Sequence, residues 1–279
     1  MCPTFSSEPG ARTQGHLVTE CADVPRDPFW WSRGLSSSAA GHRPPDPVWA
    51  GFTGRGGAEH ASPYGQDNLG LHVGDDAERV RANRRAVAER AAVASSHLLF
   101  CEQVHGTQVL VAEGPWGAVV PTADAVVTKT PGLALAVMVA DCVPVLLMDQ
   151  HAGVVGVVHA GRAGMADGVV EAALGAMAGL GASAVHAVVG PSICARCYEV
   201  PEVLRRGVAV CAPVSASVSR TGTPSLDLAA GVLEQLSRCE EIELLSGCTA
   251  EREDLFSYRR DGRTGRFAGV VGIRAPEQP

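Results

Sequence analysis

The chain of 279 residues is 46% hydrophobic and 19% charged, enough apolar content to bury a full core, which excludes disorder throughout. Acidic residues outnumber basic ones 30 to 23 for a net charge of −7, so the basic footprint needed to coat nucleic acid is absent. Nine cysteines at irregular spacing, in a chain too long to depend on a disulfide scaffold, read as reduced thiols of a cytoplasmic enzyme.

Residues 1–46 are rich in Ser, Pro, Gly and Arg, follow neither a strand nor a helix period, and lack the apolar segment of a secretion signal. They read as a disordered extension with the Phe29-Trp30-Trp31 cluster as its one candidate anchor, or as the product of an upstream start codon. The domain proper is placed at 47–275. Asp75 and Asp76 supply an acidic N-cap and first turn for a helix over 77–94, where Val80, Val87, Ala91 and Ala94 fall at helical spacing, interrupted by Asn83 and Arg84. Strands are predicted at 97–104, 107–112, 125–128, 133–140, 143–148 and 154–158, many of them apolar on successive residues as strands covered on both faces tend to be. The longest apolar stretch, 133–148, is broken by Asp141 and Pro144, so no membrane span is expected.

Farther on, a helix is predicted over 165–179 and a strand over 184–189. Pro201 is placed at the first position of another helix. A helix over 228–239 and strands over 242–245 and 267–272 complete the chain. Helices and strands interleave without a strict βαβ rhythm, which predicts a single α/β domain with mixed β-sheets flanked by helices.

Three segments each set a metal-ligand side chain at the end of an apolar strand: Gln103-Val104-His105-Gly106, Ala140-Asp141-Cys142 and Val158-His159-Ala160-Gly161. Two imidazoles and a thiolate suit Zn²⁺, and three protein ligands leave a fourth position for water or substrate, as in catalytic sites. Spacing alone favours three unrelated residues, since buried Cys and strand-end His are common. The same residues also fit a hydrolase or amidase in which Cys142 attacks and His105 or His159 acts as base. A third reading is a metal-binding regulatory protein without turnover.

Read in order, further blocks join these three: FTGRGG at 52–57 with Pro63-Tyr64, NLGLHVGDD at 68–76, QVHG at 103–106, ADCVPV at 140–145, HAGRAGM at 159–165, GPSICARCYEV at 190–200 and SYRRDGRTGRFAG at 257–269. Together they resemble the YfiH-like laccase-domain, or polyphenol oxidoreductase, family over about 48–273. The resemblance implies a layered α/β/β/α sandwich, one zinc per chain at His105, Cys142 and His159, and phosphorolysis of purine nucleosides with adenosine deamination beside it. Where many members read His-Ala-Gly-Trp-Arg-Gly or carry Lys fifth, this chain has Arg162 fourth and Ala163 fifth, within the retained glycines Gly161 and Gly164. No histidine lies two residues from another, so the His-x-His pairs of a multicopper centre are missing and no copper is expected.

Phosphorolysis needs phosphate held against the anomeric carbon, for which a guanidinium fork is suited, and Arg55 and Arg162 are the candidates. Deamination needs zinc to activate water for attack on purine C6, with a carboxylate moving the proton, and Asp141 or Glu199 fits that role. The resemblance places Asn68 near the nucleoside pocket. Each has a plainer alternative: Arg55 bridging a surface turn, Asp141 a buried hydrogen-bonding residue, Glu199 a carboxylate favoured at a helix start, Asn68 a turn residue. Cys194 and Cys197 form a single CxxC without a second pair, read as packing or pocket wall. His72 approaches the site or caps a turn, His151 faces solvent, and Arg259, Arg260, Arg263 and Arg266 read as a solvated basic face, from which one arginine reaching substrate is the alternative.

Overall fold

The computed structural model describes residues 27–35, 47–57 and 62–276. In chain order, β1 (Phe29–Arg33) and β2 (Val48–Thr53) precede α1 (Ala77–Arg90), and β3 (Leu98–Leu99) and β4 (Val109–Val111) lead to β5 (Ala125–Thr128), β6 (Ala134–Val139), β7 (Val143–Asp149) and β8 (Val154–Ala160). Then come α2 (Arg162–Ala166), α3 (Val169–Gly179), β9 (His186–Val189), α4 (Glu202–Cys211), β10 (Ala216–Val218), β11 (Pro224–Leu226), α5 (Leu228–Gln235), β12 (Glu241–Leu244), α6 (Tyr258–Asp261) and β13 (Phe267–Ile273). A five-stranded sheet runs β1-β2-β13-β6-β3 and a six-stranded one β12-β9-β7-β8-β5-β4, both with parallel and antiparallel neighbours.

The strict alternation of a strand explains the layering. On β6, Leu135, Val137 and Val139 face the seam between the sheets, packed with Phe52, Leu146, Val155 and Val157. Ala134, Ala136 and Met138 point the other way, toward α1, against Val87 and Ala88. On β7, Leu146 and Met148 join the seam while Val145 and Leu147 meet Met165, Val170 and Met177 of the opposite helical layer. Both faces of each sheet are covered, giving the expected α/β/β/α sandwich and the unbroken apolar runs of these strands.

Local departures have identifiable causes. The Phe29-Trp30-Trp31 cluster is an edge strand, β1, paired antiparallel with β2 and with Trp31 against Phe52 at 5.7 Å between ring centroids; the rest of the predicted extension, residues 1–26 and 36–46, lies outside the described residues. Asp76 caps α1 by accepting the Arg79 amide at 2.8 Å, but the helix ends at Arg90 because Ala92 turns left-handed with φ 54°. Asn83 and Arg84 break the apolar stripe because they donate to the carbonyls of Gln66, Asn68 and Leu69, tying helix to loop.

The predicted helix over 165–179 is two, α2 and α3, separated by Gly168 at φ 86°, and Pro201 stands as the N-cap of α4, one position before the predicted one. The strand predicted over 97–104 shortens to Leu98–Leu99. Beyond it, Gln103 substitutes its side-chain amide for backbone, donating to Met138 O at 2.7 Å and accepting from Met138 N at 2.9 Å. No helix among the described residues is long and apolar enough to cross a membrane.

Candidate active site

The Gln103 pairing delivers the next turn to the ends of β5 and β8, where one carboxylate organises it. Asp124 accepts the amides of Val104, His105 and Gly106 at 3.2, 2.8 and 2.7 Å. It also meets His159 Nδ1 at 2.7 Å, so the Nε2 edge of His159, a residue buried at the end of β8, is left for another partner. Burial would raise the Asp124 carboxyl, but His159 and the Gly106 and His105 amides hold it below the usual range. This partner of the ring was not singled out from the sequence; its only signal there is an aspartate directly before a buried strand.

The close approach of the His105 turn to α2 accounts for two glycines. A Cβ on Gly161 would stand 2.3 Å from His105 Cδ2, and one on Gly164 2.7 Å from Gly106 O. His105 itself is left-handed at φ 63°, as is Asp141 at φ 96°, conformations costing about 1–3 kcal/mol each for a residue with a side chain. At Asp141 the surroundings hold the strain. Its buried carboxylate accepts Thr249 Oγ1, Ser257 Oγ and the Arg259 amide, each at 2.6 Å, and Cys142 is thereby aimed at the two imidazoles.

The result is a trio in which the ligand atoms of His105, Cys142 and His159 all lie within 4.8 Å of one another. Cys142 Sγ is 3.6 Å from His105 Nε2, and the two imidazoles stand edge to face with centroids 4.7 Å apart. Burial opposes ionisation of Cys142, yet His159 and His105 draw its thiol down to about 6. Burial likewise disfavours the His159 cation, but Cys142 and Asp124 push its pKa up to about 9. Two nitrogens and a thiolate converging from the His105 turn, the start of β7 and the end of β8, with a second-layer carboxylate on one ring, are a donor set suited to a divalent transition metal.

Around Cys142 stand cationic and phenolic side chains. Arg162 opens α2 and bonds to the Tyr198 hydroxyl. The Arg259 guanidinium lies 4.9 Å over the Tyr198 ring and donates to Glu199 O at 2.9 Å. Arg266 is half-buried, and burial lowers its pKa against the pull of Cys142, Asp141 and Tyr258. His72 faces Arg266 and Arg84, and burial together with these cations keeps it below its ordinary pKa.

The other expected residues are engaged by partners of their own. Glu199 is exposed and turns its carboxylate to Ser219 and Thr221, at 2.8 and 2.5 Å. Arg55 pairs with Asp261 at 3.0 Å and packs over Phe256. Asn68 is fully buried and spends its amide on Gly70 and Asp75 while its oxygen accepts the Gly70 and Arg266 amides. His151 is exposed, in the turn between β7 and β8. Of the C-terminal arginines, Arg259 and Arg263 stay exposed, as a solvated face would have them, while Arg260 and Arg266 are half-buried. Arg260 donates to the carbonyls of Thr249, Arg252 and Leu255, and Arg263 packs on Tyr64.

A family model described as multi-copper polyphenol oxidoreductase laccase matches residues 49–274. The chain belongs to this family. Within the laccase-like family it is 50% identical to purine nucleoside phosphorylase ORF3 of Streptomyces griseus, over 80% of this chain and 93% of that protein. It is 46% identical to a purine nucleoside phosphorylase of Corynebacterium glutamicum, over 81% and 95%. The crystal structure of YlmD from Geobacillus stearothermophilus superposes with a TM-score of 0.73 at 32% identity, covering 82% of this chain and 93% of that one. The family description names copper, whereas the relatives are named for nucleoside phosphorolysis. Among the described residues, His105–Cys142–His159 is the one grouped ligand set that contains histidine.

Proposed function

We propose that the chain is a zinc-dependent purine nucleoside phosphorylase. It cleaves adenosine, inosine, guanosine or methylthioadenosine with inorganic phosphate to free base and the sugar 1-phosphate, and deaminates adenosine as a second activity. The observation that carries this reading is the His105–Cys142–His159 trio beside Arg162 and Arg259; the names of relatives up to 50% identical support it. Two imidazoles and a thiolate fit zinc better than copper clusters, which need many histidines. When bound there, zinc supplies a Lewis acid and a means of activating water.

The chain's own residues account for the rest. In phosphorolysis a phosphate oxygen forms a bond to the anomeric carbon while the bond to the purine nitrogen breaks and its electron pair leaves with the base. Arg162 and Arg259, brought together by Tyr198, present guanidinium donors to the phosphate, and fixed cations stabilise charge where it builds up. Asp141 acts by positioning Cys142, since its oxygens are occupied by Thr249, Ser257 and the Arg259 amide. Asn68 holds Arg266 in place from behind.

Incubation with adenosine or inosine, with and without phosphate, tests the reading by chromatography of free base, sugar phosphate and inosine. Phosphate-dependent base release that disappears in His159→Ala is expected, and its absence from metal-loaded protein overturns the phosphorylase. A second reading rests on Cys142 Sγ at 3.6 Å from His105 Nε2, the geometry of a thiol nucleophile and its base. Turnover by metal-free protein that iodoacetamide abolishes would select it.

A further inference from the structure

The single CxxC acquires partners that its sequence neighbourhood does not reveal. Folding brings Cys248 to Cys194 and Cys197, with the three sulfurs all within 4.8 Å of one another. Cys248-Thr-Ala-Glu251 repeats the CxxC spacing with a carboxylate in the last place, and Glu251 Oε1 lies 3.6 Å from Cys197 Sγ. Both segments form the same turn. The amides of Cys197 and Tyr198 donate to Cys194 O at 3.0 Å, and those of Glu251 and Arg252 to Cys248 O at 3.0 Å. Two further amides aim at sulfur: Cys194 N donates to Cys248 Sγ at 3.3 Å, and the Ala250 amide bonds to the same atom.

We infer that Cys194, Cys197, Cys248 and Glu251 form a second, structural zinc site, separate from the His105–Cys142–His159 trio. Two turns, each offering ligands at positions i and i+3, supply a closed four-ligand set with no place left for substrate. Metal entry displaces the thiol protons, and three thiolates and a carboxylate exceed the dication's charge by two. Arg220, in contact with both Cys197 Sγ and Glu251 Oε1, offsets part of that excess.

The site joins two loops that the sheets leave unjoined apart from the isolated bridge between Ser192 and Cys248. Each loop carries a residue of the active-site wall directly after a cysteine: Tyr198 follows Cys197 and meets Arg162, and Thr249 follows Cys248 and holds Asp141. A metal here therefore fixes the wall against which Cys142 is aimed.

The test uses the full chain carrying Cys142→Ala, which removes the thiolate of the other centre, with its zinc exchanged for cobalt. A thiolate-to-cobalt charge-transfer band and intense tetrahedral ligand-field bands are expected, lost in Cys142→Ala combined with Cys194→Ser and Cys197→Ser. If the Cys-to-Ser variants fail to fold, Glu251→Gln, altered on an exposed side chain, is read instead and should shift the ligand-field bands and weaken cobalt affinity by roughly tenfold or more. No charge-transfer band in Cys142→Ala overturns the site, as does an intact mass lower by two hydrogens that maps to a disulfide among these cysteines. An unchanged cobalt spectrum in Glu251→Gln overturns the four-ligand assignment.

Discussion

The carboxylate of Asp124 meets His159 Nδ1 at 2.7 Å and, with the same two oxygens, gathers the three amides of the turn that carries His105. Two of the three candidate metal ligands are thus oriented by one residue that is itself outside the trio. Asp124→Asn keeps the shape but removes the charge and turns an N–H₂ group toward donors. A metal affinity weaker by about 10–100-fold, measured by chelator competition, is expected. Unchanged affinity would show that packing alone orients the rings.

In the metal-free protein, alkylation of Cys142 by iodoacetamide should titrate with an apparent pKa of about 6, against ~8.5 for a free thiol. A lowered thiol pKa means that thiolate persists to lower pH, so the rate stays near its plateau at pH 7 and falls tenfold per unit well below 6. Replacing His159 by Gln removes the largest stabilising partner of the thiolate and should move the profile upward. Bound metal should protect Cys142 at every pH. A profile centred near 8.5 in the metal-free wild type would show that the imidazoles do not stabilise the thiolate.

The strands and two members of the trio were legible because each is a local signal: continuous apolar runs on β6, β7 and β8, with Cys142 directly before β7 and His159 next to the end of β8, whereas His105 sits in a turn because the strand before it ends at Leu99. Asp76 as a cap was legible for the same reason, since a cap acts within its own turn. What the sequence concealed was long-range side-chain bonding. Asp124 serves His159 across 35 positions, Asp141 is bound by Ser257 across 116, and Cys194 finds Cys248 across 54; no periodicity encodes such pairs. Arg260 was hidden for a related reason, because a basic run looks solvated until folding supplies the carbonyls of Thr249, Arg252 and Leu255 around it.

Asp149, at the end of β7 and fully buried, anchors the neighbouring connections by accepting the amides of Ala152, Ser183 and Ala184 at 2.9, 2.7 and 2.9 Å. Burial acts to raise its pKa, but these amides hold the carboxyl below its ordinary value. A depressed folded pKa adds stability that is complete above the unfolded value, ~3.9, and is lost as pH falls through the folded one. Asp149→Asn should therefore cost about 2 kcal/mol at pH 7, read from urea midpoints. The difference from wild type should shrink below about pH 4, and a difference that does not change with pH would refute the electrostatic account.

Gly161 and Gly175 make opposite predictions from one criterion. Gly161 has φ −73°, which any residue tolerates, so an alanine there is opposed only by what its methyl would strike, and that is His105 Cδ2 at 2.3 Å. The ring must move, and with it one corner of the trio. Gly161→Ala should lose metal from that centre and, on the proposed function, nearly all phosphorolysis, while overpacking costs about 1–3 kcal/mol of stability. Gly175 lies within α3 with nothing inside 4 Å of a Cβ built on it. Gly175→Ala should instead stabilise the fold by about 0.5–1 kcal/mol, through the backbone entropy that glycine forfeits in a helix, and leave metal content intact. Metal analysis and thermal melts of the two variants side by side check both signs. Retention of full metal by Gly161→Ala would mean that the His105 turn can yield without losing its grip, and that the tight approach to α2 does not set the centre.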